Sequence, residues 1–134
     1  MKIAIVILNW NGQKLLEQFL PSVVNFSSEL AEIYVADNAS TDSSISYIKE
    51  FYPTIKIIEN SKNEGYAKGY NDALANVDAE IYCLLNTDVE VTKDWLNPIL
   101  EVFKTDDKIA IIQPKLLDFK NKDIFEYAGA AGGF

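Results

Sequence analysis

Four short apolar runs, each separated from the next by a stretch of helical spacing, constrain this chain more than any other feature. The runs are KIAIVIL (Lys2 to Leu8), EIYVA (Glu32 to Ala36), IKIIE (Ile55 to Glu59) and EIYCLL (Glu80 to Leu85). They are rich in Ile, Val and Tyr and alternate only weakly, which fits strands buried on both faces. Between them apolar residues recur at helical intervals: Leu15, Leu16, Phe19, Leu20 and Val23; then Ile45, Ile48 and Phe51 with Tyr52; then Ala67, Tyr70, Ala73 and Leu74. A further helix is predicted from about Lys93 to Phe103, with Trp95, Leu96, Ile99, Leu100 and Phe103 on one apolar side and Trp95 in the core, and KIAIIQP (Lys108 to Pro114) reads as a fifth strand. Strands alternating with helices imply right-handed βαβ units. The predicted fold class is therefore α/β, a three-layer Rossmann-like arrangement with a mostly parallel sheet and helices on both faces.

In such sheets a ligand sits outside the carboxyl ends of the strands, near the switch in strand order. The four runs end in NWNG, DNASTDSS, NSKNEG and NTD, so each delivers Asn, Asp or Ser to one rim. Composition narrows what that rim can do. The chain has 134 residues, 49% of them hydrophobic, enough for one domain with a real core and too few for two ordinary ones. With no histidine, serine–histidine–aspartate triads, histidine metal cages and imidazole acid–base catalysis are excluded. The single cysteine, Cys83, lies in an apolar run and reads as a small buried hydrophobe, so neither redox chemistry nor zinc is supported. A net charge of −8 argues against a nucleic-acid surface. No apolar run approaches the roughly 18 to 20 residues needed to span a bilayer, and the N-terminus shows no cleavage pattern. The expected location is cytoplasmic, or peripheral at the inner face of a membrane.

Each rim feature admits a plain reading beside a functional one. Ser40, Thr41 and Asp42 suit turn chemistry and helix capping. In NEGYAKGYNDAL (Asn63 to Leu74), Gly65 either ends a turn or opens a helix whose amides favour an anion. Lys68 either assists a phosphate or is a solvated surface lysine. Trp10, between two asparagines, is either a core indole or a platform for a base. Trp95 reads as core. Asp88 leaves the sheet at the same rim as Asp37 and precedes a second short apolar stretch that would hold it rigidly. A divalent cation on such a carboxylate can bridge the oxygens of a diphosphate. On an acidic protein that ion matters, because unit like charges about 4 Å apart cost on the order of 4 kcal/mol at an effective dielectric near 20.

Taken together, VILNWNG, VADNASTDSS, NEGYAKGYNDAL and YCLLNTDVEV, in that order and at these intervals, resemble the nucleotide-binding half of family 2 glycosyltransferases over nearly the whole chain. The resemblance implies a GT-A fold spanning residues 1–134 as one nucleotide-diphospho-sugar-binding domain, a DxD-type metal motif after the fourth strand, and transfer with inversion, which is implied by the family and not by these residues. On this chain it implies that Leu8, Asn9 and Trp10 approach the base and that the Asp37 carboxylate accepts from the imide N–H of uracil or thymine. Asn63, Gly65 and Lys68 border the nucleotide, Asn86 to Asp88 take the DxD place, and Asp88 holds Mg²⁺ or Mn²⁺. The implied partners are a UDP- or dTDP-sugar donor and a glycan or lipid-linked acceptor. Asn86 stands where the first acid of the motif is expected, which is similar to members with NxD, among them rhamnosyl- and other cell-surface-glycan transferases. Nothing matches the family's general-base region: Asp118 and Asp123 fit no such motif, and the chain stops at FEYAGAAGGF. A C-terminally truncated chain that binds donor but does not transfer sugar alone is expected.

Three rival readings stand beside this resemblance. A response-regulator receiver needs an acidic pair after strand one, where this chain has Asn9-Trp10-Asn11, although Lys115 beside Pro114 resembles the receiver lysine. A dinucleotide dehydrogenase lacks its GxGxxG. A non-catalytic nucleotide-sugar-binding module shares every motif.

Overall fold

The computed structural model describes residues 1–127, and the glycine-rich end noted above lies outside the described residues apart from its first three. The chain divides into two compact units, Met1–Asp94 and Trp95–Phe134. The first contains β1 (Ile3–Asn9), α1 (Gln13–Ser27), β2 (Glu32–Asp37), α2 (Ser44–Phe51), β3 (Lys56–Glu59), α3 (Tyr66–Leu74) and β4 (Ile81–Leu85). The strands form one sheet in the order β3-β2-β1-β4, every pairing parallel. The α/β reading of the sequence therefore holds for this unit.

Strand order decides where the helices go. The chain steps outward from β1 to β2 to β3, then returns across the sheet to β4. Right-handed crossovers in opposite directions place α1 and α2 on one face and α3 on the other. Side-chain parity agrees. Ala4 and Val6 of β1, with Tyr34 and Ala36 of β2, pack with Tyr70, Ala73 and Val77, and Leu8 packs against that cluster. The alternate residues Ile3, Ile5 and Ile7 are equally buried, and by alternation they face α1 and α2, whose Leu16, Phe19, Leu20, Val23 and Ile48 are inward.

Burial departs from expectation at the sheet margins. β1 and β2 are buried except at half-buried Leu8 and Glu32; on the edge strand β4, Tyr82 and Leu84 are exposed. Cys83, between them, is half-buried, and burial pushes its thiol up to about 11, consistent with an inert residue. Leu15 and Phe51, assigned to apolar faces from their spacing, are exposed.

The second unit contains α4 (Leu96–Thr105) and a short antiparallel pair, β5 (Leu116–Leu117) and β6 (Phe125–Tyr127). Leu96 is buried and Ile99, Leu100 and Phe103 are half-buried, so the predicted apolar side exists. Trp95, expected in the core, is half-buried at the N-cap. The predicted strand Lys108–Pro114 does not form. An apolar run becomes a strand only where a neighbouring edge takes up its backbone groups, and here the Ile109 N–H closes a turn onto the Asp106 carbonyl at 3.1 Å while Ile111 stands 87% exposed.

Candidate functional site

The order β3-β2-β1-β4 puts the topological switch between β1 and β4, and a cleft of about 330 Å³ opens at the carboxyl ends there. Leu8 and Trp10 from the end of β1, Asn38 after β2, Asn63, Gly65 and Tyr66 before and at the start of α3, and Asn86, Thr87 and Asp88 after β4 line it.

One backbone feature shapes the cleft wall. Gly65 stands at φ 93°, in the left-handed region, where a side chain would be strained. It turns the chain from the β3 loop into α3, and its N–H donates to Asn63 Oδ1 at 3.1 Å. A set of amides backs this wall. Asn60 Nδ2 donates to Asn38 Oδ1 at 2.8 Å, and Asn38 Nδ2 donates at longer range to the Gly65 carbonyl and Asn63 Oδ1, at 3.3 and 3.4 Å. Asn38 is 2% exposed, so these bonds fix its orientation.

Of the residues singled out in the sequence, Leu8, Trp10, Asn63, Gly65, Asn86 and Asp88 meet at the cleft. Trp10 is 58% exposed, which removes the core reading of its indole. Asn9, Asp37 and Lys68 do not line the cleft. Asn9 and Asp37 are register partners across β1 and β2 and are fully buried. Asp37 Oδ1 accepts from Asn9 Nδ2 at 2.8 Å and from the Ser40 hydroxyl at 2.6 Å, and its Oδ2 accepts from the Ser40 N–H at 2.8 Å. The carboxylate thus ties the loop after β1 to the loop after β2. Asn9 Oδ1 has no partner and lies against Gly12, where a Cβ would approach it to 2.5 Å. Lys68 pairs on the helix surface with Asp72 at 2.8 Å and Glu64 at 3.6 Å.

Two site features were not read from the sequence. Asn38 was passed over in favour of Asp37, yet consecutive residues at a strand end project to opposite faces, and it is Asn38 that faces α3 and the cleft. Tyr66 was passed over as well. Its hydroxyl donates to Asn86 Oδ1 at 3.0 Å, and its ring meets that of Tyr70 edge-on, centroids 4.8 Å apart. Burial, with Tyr66 beside it, pushes the Tyr70 hydroxyl well above its ordinary range, so it stays a donor, to the Leu85 carbonyl at 3.0 Å.

The loop caps lie just behind the cleft. Asp42 Oδ2 accepts from the Gln13 N–H at 3.1 Å and Oδ1 from the Ser44 N–H at 3.0 Å and from the Ser44 hydroxyl, so one carboxylate serves the first turns of both α1 and α2. Desolvation pushes this carboxyl up, but the bonds from Ser44 and Gln13 outweigh it and hold it below its ordinary value. Asn11, at φ 48°, accepts from the Thr41 and Asp42 amides at 2.7 and 3.2 Å.

Among the described residues there is no group of three or more His, Cys, Asp or Glu able to hold a metal ion. The donor set, an exposed Asp88 carboxylate at the mouth of the cleft, fits a hard cation that takes one or two carboxylates and completes its shell with phosphate oxygens and water.

The family model described as Glycosyl transferase family 2 matches residues 4–128. An uncharacterized glycosyltransferase of Nostoc sp. is 30% identical over 129 residues, which cover 92% of this chain and 40% of the relative. Among solved structures, a mannosyltransferase, PcManGT from Pyrobaculum calidifontis, in complex with GDP-Man and Mn²⁺, matches with a TM-score of 0.72 at 22% identity, over 84% of this chain and 36% of that one. S. aureus TarS 1-349 in complex with UDP-GlcNAc matches with a TM-score of 0.69 at 17% identity, over 90% of this chain and 42% of that one. The chain spans 34% and 40% of the length of the first two curated relatives it matches. No helix among the described residues is long and apolar enough to cross a membrane.

Proposed function

The chain belongs to glycosyl transferase family 2, and on that premise we propose that it supplies the donor-binding half of a transferase moving a sugar, with inversion, from a nucleotide-diphosphate donor to a hydroxyl acceptor. The observation that carries this reading is the meeting of Trp10, Asn38, Asn63, Gly65 and Asn86–Asp88 in one cleft at the switch point of the sheet. The base stacks on the exposed Trp10 indole, Asn38, Asn63 and Gly65 border the nucleoside, and the turn at Asn86–Asp88 faces the diphosphate. Asp88 would hold Mg²⁺ or Mn²⁺. When bound, the cation supplies neutralisation of the diphosphate and stabilises its departure. The solved neighbours named with UDP-GlcNAc and with GDP-Man and Mn²⁺ support a nucleotide-sugar donor and a divalent cation. We take the donor to be a UDP- or dTDP-sugar and the acceptor to be a cell-surface glycan or its lipid-linked precursor.

We assign no general base among the described residues. Asp118 is engaged in its own turn, where Oδ1 accepts from the Asn121 and Lys120 amides at 2.7 and 3.0 Å. Donor binding without transfer is the expected behaviour of this chain alone. Titration calorimetry of UDP and dTDP, with and without Mn²⁺, on the wild type and Asp88→Ala tests the reading. Binding that strengthens with Mn²⁺ and weakens at least about tenfold in Asp88→Ala supports it, a loss of about 1.4 kcal/mol. Failure of the wild type to bind either nucleotide overturns it.

A further inference from the structure

We propose that Tyr66 is a positioning residue that fixes Asn86 as a hydrogen-bond donor to the diphosphate of the bound nucleotide, and that Asn86 is not a ligand of the cation. The inference rests on the donor-binding reading of the cleft. Tyr66 and Tyr70 stand one turn apart on α3, so their side chains lie on the same face. Their hydroxyls reach two consecutive residues where the chain leaves β4: Tyr70 to the Leu85 carbonyl and Tyr66 to Asn86 Oδ1, each at 3.0 Å. Tyr70 is 3% exposed and serves as the fixed member; the edge-on ring contact at 4.8 Å steadies Tyr66, which is 60% exposed and lines the cleft.

A carboxamide has one acceptor end and one donor end. The Tyr66 hydroxyl takes one of the two lone pairs of Oδ1 and fixes which way the amide points, so both donors of the NH₂ group stay available to a ligand. A cation needs oxygen, whereas a diphosphate oxygen needs a donor, so the two members of the Asn86-Thr87-Asp88 turn divide the work: Asp88 takes the cation and Asn86 takes the anion. An aspartate at position 86 could not perform the second role, because an ionised carboxylate only accepts.

The test measures UDP binding (or dTDP, whichever the wild type binds better) over a series of Mn²⁺ concentrations up to saturation for the wild type, Tyr66→Phe, Asn86→Ala, the double variant and Asn86→Asp. Tyr66→Phe keeps the ring and its contact with Tyr70, so the fold is retained. Losing an oriented bond to a charged group is expected to weaken binding about 5- to 10-fold in Tyr66→Phe. The Mn²⁺ concentration dependence should stay that of the wild type, Tyr66→Phe should cost nothing further in the Asn86→Ala background, and Asn86→Asp should bind more weakly than the wild type. Additive losses in the double variant, a changed Mn²⁺ dependence in Tyr66→Phe, or tighter binding by Asn86→Asp would overturn the proposal. A wild type that binds neither nucleotide sinks the donor-binding reading itself, whereas wild-type affinity in Tyr66→Phe sinks only this inference.

Discussion

Replacing Gly69 by alanine sets two effects of opposite sign against each other. Gly69 lies inside α3, its N–H bonded to the Gly65 carbonyl at 3.0 Å, and alanine in a helix interior is favoured over glycine by about 1 kcal/mol. Against that, a Cβ at this position would stand 2.6 Å from Asn38 Nδ2, 2.7 Å from Asn38 Oδ1 and 3.0 Å from Leu8 Cδ1. Forcing an extra methyl group into a packed site costs about 1–3 kcal/mol. Asn38 cannot swing aside freely, because Asn60 holds its Oδ1 at 2.8 Å, and a buried group that loses its partner costs about 1–3 kcal/mol more. The steric and hydrogen-bond costs outweigh the propensity gain, and Gly69→Ala is expected to be destabilised by about 1–5 kcal/mol. Urea denaturation reads this as a lower midpoint at unchanged slope. Because the displaced amide lines the cleft, UDP affinity should fall in the same variant. A protein about 1 kcal/mol more stable than the wild type, with unchanged nucleotide binding, would refute the argument that Asn38 is wedged against α3.

Asp42→Ala removes one acceptor from each of two helix N-termini and should cost about 2 kcal/mol, at roughly 1 kcal/mol per cap, seen in thermal unfolding. Since the folded carboxyl is held below its ordinary value, its charge contributes stability that is present above an unfolded-state value of about 3.9 and is lost as pH falls through the folded value. The stability gap between the wild type and Asp42→Asn should therefore narrow below about pH 4, and a gap that widened on acidification would contradict the assignment. Lys68→Ala breaks only exposed pairs, so stability should move by less than about 1 kcal/mol with UDP affinity unchanged in calorimetry, and a tenfold loss of affinity would return Lys68 to the site.

The four runs read as strands from sequence all pair in the sheet, and the three helical stretches between them all form, because local spacing and burial agree there. Lys108–Pro114 has the same apolar content, but strand formation depends on an available edge, which no local pattern encodes. The site divides along similar lines. Trp10, Gly65 and Asp88 stand out in the sequence because their chemistry is unusual at a strand end or turn, and all three line the cleft. Asn9 and Asp37 are alike in kind but face the other way, since parity about the strand axis decides which of two adjacent polar residues faces the cleft. The Tyr66–Asn86 contact joins residues 20 apart through the return crossover of α3, and only the fold brings them together.

β1, made before its neighbours in the sheet, is a central strand. It is flanked by β2 on one side, but on the other Ile3 must wait for Ile81 of β4, which arrives about 80 residues later and, at about 5–20 residues per second, about 4–16 s afterwards during synthesis. Through that interval one flank of the most apolar segment of the emerging polypeptide offers unmet backbone groups to any passing strand. The nascent chain is then at its most prone to aggregate, and lowering expression temperature or supplying a chaperone should raise soluble yield more than any surface substitution.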